Sequence, residues 1–382
     1  MHNQNKTLIY LDHNATTPVD PIAIEVMTRY IHDEFGNPSS AYPLGLNAKE
    51  ILESARQEIA SLIGCESIEV IFTSGGSESN NMALKGLIDF REPRKYHIIT
   101  SSIEHPSILN PSLYLMELGV RVTILPVDHY GRVSPDDVER AITSGTCLIS
   151  IMMANNETGT LNPIEEISKI AKAHSIPFHT DAAQAVGKID VDVNRLSVDL
   201  LSIAGHKLYG PKGVGALFIR KGLNITPLIH GAGQEFGKRA GTENIVLAAG
   251  LGASCRVAGE RLKQDITGIK ALRDRLQEML FHGINGLVLN GHPEARLPNT
   301  LNISVPYIEG ASILKGLPGL AASTGAACHD RSVKLSHVLS AMNVPPEVGM
   351  GTLRLSLGRS NDMKQIEEAA SQIIAKVKEM EG

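Results

Sequence analysis

A chain of 382 residues with 42% hydrophobic and 20% charged side chains, 35 glycines and 19 prolines has the makeup of a globular protein, with length for two or three folding units. That composition excludes disorder, a collagen-like repeat, a long coiled coil and a small disulfide-stapled domain. The formal charge of -5, from 36 basic and 41 acidic residues with no basic block, speaks against a nucleic-acid partner.

The opening MHNQNKTLIYLDHNATT has no charged region followed by a long apolar one. No apolar run reaches the roughly 18 residues that cross a bilayer, so a cytoplasmic protein without a membrane partner is expected. Between about residues 50 and 220 helical periodicity alternates with short β-branched runs. That pattern predicts an α/β fold with a mostly parallel sheet covered on both faces. The predicted strands are Glu69–Phe72, His97–Thr100, Arg121–Leu125, Leu148–Met152, Pro177–His179, Leu200–Ile203 and Ala216–Ile219. Ligands of such sheets bind outside the carboxyl ends of the strands, which here read SGGSESNN, SSIEHPS, ANNETG, TDAAQ and AGHKLYG. Beyond about residue 245 a long helical stretch, Ile245–Phe281, precedes LPNTLNISV, LAASTGAACHD and LRLSLGRS, the texture of a second, smaller α+β domain.

The segment IFTSGGSESNN leads from a strand through two glycines into a helix start, where backbone N–H groups can hold an anion. Lacking both G-K-[ST] and G-x-G-x-x-G, it suits one small phosphate, or else is an ordinary helix cap. Lys207 follows the apolar strand LLSIA, where desolvation can make a lysine a Schiff-base former, although most lysines stay in solvent. Asp181 ends IPFHTD, the place for a carboxylate that pairs with a pyridinium nitrogen, and equally for a helix N-cap. Pyridoxal phosphate needs that carboxylate together with a lysine and a phosphate cup. His105 could cover a planar ring or carry protons, and Asn156 and Gln184 could hydrogen-bond a phenolate oxygen. Arg354 has the planar fork that clamps a carboxylate.

The cysteines Cys65, Cys147, Cys255 and Cys328 are far apart with no CxxC, so neither a disulfide framework nor a metal site is signalled. The first three have turn or apolar contexts and read as small buried hydrophobes. Cys328, in the Gly/Ala-rich STGAACHD, suits an accessible nucleophile. Its neighbour His329 does not make it a protease dyad, because adjacent residues rarely aim side chains at one another.

Taken together, YLDHNATT, FGNPSS, FTSGGSESNN, IEHPS, ANNETGT, HTDAAQAVGK, GHKLYGPKGVGAL, RAGTEN, GAAC and LRLSLGR resemble the cysteine desulfurase family. These are pyridoxal 5'-phosphate enzymes of the fold type I, class V aminotransferase group, and the resemblance covers nearly the whole chain. It implies a homodimer with a large cofactor-binding domain at 17–258 and a small domain, from 1–16 and 259–382, carrying the cysteine loop. It further implies that Lys207 holds the cofactor as a Schiff base, Asp181 pairs with its ring nitrogen and His105 stacks on the ring. Gly76, Ser77 and His206 would hold the phosphate, with Thr242 reaching the phosphate of the neighbouring subunit. Asn156 and Gln184 would contact the ring, while Arg354, Asn14 and Asn156 would bind the substrate. Cys328 would attack the sulfur of L-cysteine, releasing L-alanine and carrying a persulfide to an acceptor protein in iron–sulfur or thio-cofactor assembly.

Some positions depart from the family pattern. Ala204 stands where many desulfurases have serine, Ser77 replaces a threonine, and AYPLG replaces S-x-H-x-x-G. GAACHD, LPNTLNIS, ANNETG and HTDAAQA also look like selenocysteine lyases, making L-selenocysteine the alternative substrate. A third reading, from another class, is a cofactor-binding scaffold that mainly docks a sulfur acceptor.

Overall fold

The computed structural model describes residues 8–324 and 335–381, with backbone alone for 326–329 and 332–334. A seven-stranded sheet runs through the larger part of the chain. In spatial order its strands are Val70–Thr73, Gly215–Ile219, Leu200–Ala204, Phe178–Asp181, Thr146–Ser150, His97–Ser101 and Arg121–Leu125. All neighbours pair in parallel except Gly215–Ile219, which is antiparallel to both of its partners. VIFT, HIITS, LLSIA and GALFI are buried along their whole length, as strands covered on both faces must be. The edge strand RVTIL is largely open to solvent.

Every strand expected from the sequence is present. The one predicted at Leu148–Met152 instead runs over Thr146–Ser150. The Ile151 and Met153 N–H groups still donate to the carbonyls of His179 and Asp181, so pairing continues as the chain opens into ANNETG. His179, fully buried, stitches three strands together: its Nδ1 and Nε2 bond Ser150 Oγ at 2.8 Å and Ser202 Oγ at 2.9 Å.

Helix Pro43–Ile63 and the first half of the long helix Ile245–Gly283 cover one face. Their close approach needs glycine, since a Cβ at Gly252 would stand 2.7 Å from Ala55 Cα. The second half of the long helix enters another core, where Leu276 and Leu280 pack against Leu301, Ile303, Leu353 and Ile373. There a four-stranded sheet runs Ser323–Thr324, Thr352–Ser356, Thr300–Ser304, Val288–Leu289. The N-terminal strand Ile9–Tyr10 pairs in parallel with Leu320–Ala321, and Asp12 bridges to Ser356. This pairing carries the chain directly into the segment Asn14–Ala15 at the sheet's carboxyl edge.

One ion pair lies inside the larger core. Arg56 donates to Glu235 through Nη1 at 2.7 Å and Nη2 at 2.8 Å, and to Val70 O at 2.6 Å. The Phe72 N–H donates to Glu235 at 2.7 Å. Glu235 and Phe236 have φ of 47° and 57°, a left-handed backbone unusual outside glycine that this pair holds in place. Glu235→Ala leaves the buried guanidinium with the half-exposed Glu53, 3.3 Å from its Nε, as its remaining charge partner among the described residues, so urea unfolding should show a loss of up to about 3–5 kcal/mol. The double change Arg56→Met with Glu235→Leu should cost clearly less.

Candidate active site

Seven of the chain's segments meet at a cavity of about 300 Å³ outside the carboxyl ends of the central strands. Its wall includes Asn14, Gly76, Ser77, His105, Asn156, Asp181, Gln184, His206, Lys207 and Arg354. Thr242 is exposed and lies outside this wall. The Cys328 side chain lies outside the described residues; its backbone forms part of the strand Ala326–His329, paired with Ser332–Leu335.

Helix Gly76–Lys85 presents its N-terminus to the cavity, and its N-cap Gly75, at φ 145° and ψ 180°, uses a conformation open to glycine. The approach is tight: a Cβ on Gly215 would lie 2.7 Å from Gly75 Cα, and one on Gly76 would lie 3.2 Å from Ala204 Cβ. First-turn N–H groups there are free of intrahelical partners and favour a negative ligand. Glu78 is turned away from that ligand position, accepting from the Ser74 N–H at 2.8 Å and from Arg239 Nε at 2.9 Å.

Lys207 closes a short turn, Gly205–Lys207, after the strand Leu200–Ala204. Its Nζ donates to the backbone carbonyls of Asn14 at 2.6 Å and Ala15 at 2.7 Å. Desolvation and then the Arg354 guanidinium push its pKa from 10.5 to about 8, against the raising pull of Asp181 and Asp12. A lysine so placed has an accessible neutral amine near neutral pH. Beside it His206 bonds Thr16 Oγ1 at 3.2 Å, and desolvation followed by Lys207 lowers its pKa to about 4, leaving a neutral imidazole.

Asp181 is buried at the end of Phe178–Asp181. Asn80 Nδ2 donates to its Oδ2 at 2.7 Å and the Ala183 N–H to its Oδ1 at 2.9 Å, so it supports the following turn while facing the cavity. His105 caps helix Pro106–Glu117, its Nδ1 accepting from the Ser107 N–H at 3.1 Å. That bond puts the proton of the neutral ring on Nε2. Desolvation keeps its pKa below the ordinary histidine value, against the opposing pull of Asp181.

Arg354, on Thr352–Ser356, donates from Nη2 to Asp12 Oδ1 at 2.8 Å and Ser323 Oγ at 2.9 Å, and from Nη1 to Asn156 O at 3.2 Å. Its Nε, buried, has no partner among the described residues, which leaves donor capacity for a ligand carboxylate. Asn14 lines the cavity with its amide fully engaged: Nδ2 donates to Thr300 Oγ1 and Asn156 O, and Oδ1 accepts from Asn299 and Lys188. Gln184 donates to Asn14 O at 3.0 Å and accepts from Lys188 at 2.6 Å.

This donor set fits pyridoxal phosphate. An anion cradle, an amine of lowered basicity, a buried carboxylate, a neutral imidazole and an incompletely paired arginine surround one cavity. Of the other cysteines, Cys255 is fully buried. Cys65 and Cys147, expected inside, are half-buried against the cores, and burial pushes their thiols up to about 12 and 11. Neither has thiolate character near neutral pH.

The family model described as aminotransferase class-V matches residues 9–368. Cysteine desulfurase IscS of Methanosarcina thermophila is 48% identical, with 99% of this chain and 94% of that protein covered. Among solved structures, one described as a NifS-like protein superposes with a TM-score of 0.91 at 37% identity, covering 97% of this chain and 100% of that one. Another, described as SspA in complex with cysteine, gives a TM-score of 0.80 at 38% identity, covering 91% of this chain and 98% of that one. The fold and the cavity thus define a class V aminotransferase, a group that works with pyridoxal phosphate. Within that class the chain belongs to the cysteine desulfurase family.

Three residues around the site escaped sequence reasoning. Asn80 holds Asp181, Lys188 holds Gln184, and Glu104 lies fully buried behind His105. A signal for each was present in SGGSESNN, AAQAVGK and IEHPS, where polar residues recur in segments that must pack under a site. Glu104 Oε1 accepts from Ser101 Oγ at 2.6 Å and the Met152 N–H at 2.9 Å, while Oε2 has no partner among the described residues. Desolvation above all, with Asp181 adding to it, pushes its pKa up to about 8.

The folded protein therefore retains a proton at Glu104 that the unfolded chain releases above its ordinary pKa. Wild-type stability should fall as pH rises from about 4.5 to about 8, by up to about 1.4 kcal/mol per pH unit from this group. Glu104→Gln should remove that slope, so its stability relative to wild type improves from pH 5 to pH 8. Denaturant melts at several pH values measure it, and parallel curves for the two proteins would contradict the assignment.

Proposed function

We propose that this chain is a pyridoxal-phosphate-dependent cysteine desulfurase that converts L-cysteine to L-alanine and passes the sulfur to an acceptor protein. The observation that carries the reading is the meeting of Lys207, Asp181 and Arg354 at one cavity beside a helix N-terminus. The desulfurase relatives, and the cysteine named for the SspA structure, support the substrate.

In this reading the N–H groups of Gly76 and Ser77, with His206, hold the cofactor phosphate, and Asp181 pairs with the ring nitrogen. When bound, the cofactor supplies the electron sink that lets bonds at the substrate's Cα and Cβ break. His105 covers the ring, and Asn156 and Gln184 contact its polar edge. Arg354 takes the substrate carboxylate with its guanidinium, whose Nε lacks a partner among the described residues. Lys207 Nζ, whose basicity is lowered to a pKa of about 8, carries the Cα proton. The Cys328 thiolate bonds to the substrate sulfur as the Cβ–S bond breaks. That electron pair stays with Cβ, which gains a proton, and the products are alanine and a persulfide on Cys328.

The division into 17–258 and 1–16 with 259–382 belongs to the same proposal. It is supported by two separate hydrophobic cores and by the pairing of Ile9–Tyr10 with Leu320–Ala321. The proposed boundary falls inside the helix Ile245–Gly283, whose two halves pack in different cores. A homodimer, with Thr242 serving the neighbouring subunit, is supported by that residue's exposure and by the apolar surface of Ile22, Ile24, Ile31 and Phe35.

Alanine release from L-cysteine and from L-selenocysteine tests the reading. Lys207→Ala should abolish both the visible absorbance of the loaded protein and alanine production. Cys328→Ala should lose cysteine turnover by a factor of at least about 100, as expected when a nucleophile is removed. Wild-type protein that released alanine only from selenocysteine would be a selenocysteine lyase instead.

A further inference from the structure

Asn156 and Glu157, consecutive in ANNETG, serve different places. The fully buried Asn155 before them accepts the Glu157 and Thr158 N–H groups on its Oδ1 at 2.9 and 3.0 Å, and its Nδ2 donates to Ile103 O at 3.1 Å. This turn, held by a side-chain oxygen, gives Asn156 to the cavity wall. Glu157 is not part of that wall, and its Oε2 accepts from Ser336 Oγ at 2.5 Å. Its carbonyl accepts from Asn302 Nδ2 at 3.1 Å, which ties the same turn to the small sheet.

Ser336 caps the short helix His337–Ala341 and directly follows the strand Ser332–Leu335. A hydroxyl has one proton and two lone pairs. Here the proton goes to Glu157, and the oxygen accepts the Val338 N–H at 3.0 Å and the Leu339 N–H at 3.5 Å. His337 adds a second tie, its Nε2 donating to Glu104 O at 2.9 Å, one residue before His105. Beneath these contacts Val338, Leu339 and Met342 pack with Ile103 and Met152 in a small core of their own. The helix is thus seated on the segments that follow His97–Ser101 and Thr146–Ser150, behind the cavity wall.

The strand that ends at this seat is the partner of the cysteine strand. Ala326–His329 runs antiparallel to Ser332–Leu335, with Cys328 opposite Val333 and Ala326 opposite Leu335. Val333 is three residues from Ser336, about 10 Å of extended chain. Paired strands move together through their ladder, so the position of Ser336 limits the position of Cys328.

We propose that Glu157 is a positioning residue for Cys328, its hydrogen bond to Ser336 seating the foot of the cysteine hairpin on the turn that carries Asn156. The inference rests on Cys328 being the sulfur nucleophile. A thiolate must reach the substrate sulfur at contact distance and in line, and a misplacement of about 1 Å can cost about a hundredfold in rate.

Two reactions of the protein loaded with pyridoxal phosphate separate this role from a general one. L-cysteine turnover needs the Cys328 thiol at the substrate sulfur. β-Chloro-L-alanine has the same carboxylate and amine but loses chloride from Cβ without a nucleophile, and with water gives pyruvate, ammonium and chloride. Glu157→Ala should lower kcat for alanine release from L-cysteine by roughly ten- to a hundredfold at unchanged KM, while initial chloride release from β-chloro-L-alanine stays within about twofold of wild type. Glu157→Gln, whose amide oxygen still accepts from Ser336 Oγ, should recover most of the lost kcat. Ser336→Ala should give the same split as Glu157→Ala, and the double change should be no slower than the slower single one. Equal losses in both reactions would overturn the proposal, because they mark a disturbed Asn156 turn. Unchanged kcat in Glu157→Ala would also overturn it, as would a Gln variant no faster than the Ala one. Should Glu157→Ala fail to fold, Ser336→Ala, which leaves the ANNETG turn intact, is judged by the same criteria. Cysteine turnover retained by Cys328→Ala would instead defeat the reading on which the proposal rests.

Discussion

The backbone of Asn14 ties the two sheets together at the cavity. Its N–H donates to Ser356 Oγ in the small sheet, and its carbonyl accepts from both Gln184 and Lys207, which follow two strands of the large one. Its side chain reaches Thr300, Asn299, Asn156 and Lys188. A residue with this many partners from both sheets fixes their register at the cavity. It can do so because Ile9–Tyr10 is itself a strand, and the bridge from Asp12 to Ser356 delivers the next residues in one register.

Around that anchor the electrostatics are a balance of opposed pairs. Arg354 is neutralised by Asp12 in a half-buried pair, yet its Nε has no partner among the described residues. Asp181 is held by neutral amide and backbone donors. Lys207 is held by carbonyls, which accept its hydrogen bonds without stabilising its charge as a carboxylate would. Glu104, behind the histidine, avoids its charge altogether by keeping a proton. The amine is thereby made available to a carbonyl, and the arginine fork to a carboxylate.

Most of this architecture was legible in the sequence because strands buried on both faces leave continuous apolar runs, and the segments after them carry the chemistry. Lys207, Asp181 and His105 stand out for that reason: each is a polar residue at the end of an apolar run. Lys188 and Asn80 do not, because a residue that works by orienting another looks like any loop or helix polar residue until the fold shows what it touches. Glu235 was hidden differently. Its partner Arg56 lies far away on a helix that reads as ordinarily amphipathic, and nothing local announces that the pair is buried. The shift of one strand to Thr146–Ser150 reflects a run, CLISIMM, whose apolar character continues beyond the point where the chain leaves regular pairing.

The helix Ile245–Gly283 connects the two cores without a break for 39 residues, roughly 58 Å at the usual rise. A flexible linker would let the smaller unit drift against the larger at almost no energetic cost. A continuous helix with each end embedded acts instead as a beam. Relative motion of the units must bend it, store elastic energy and recoil. Wide separation of the two cores is thereby resisted along the whole length of the helix that joins them.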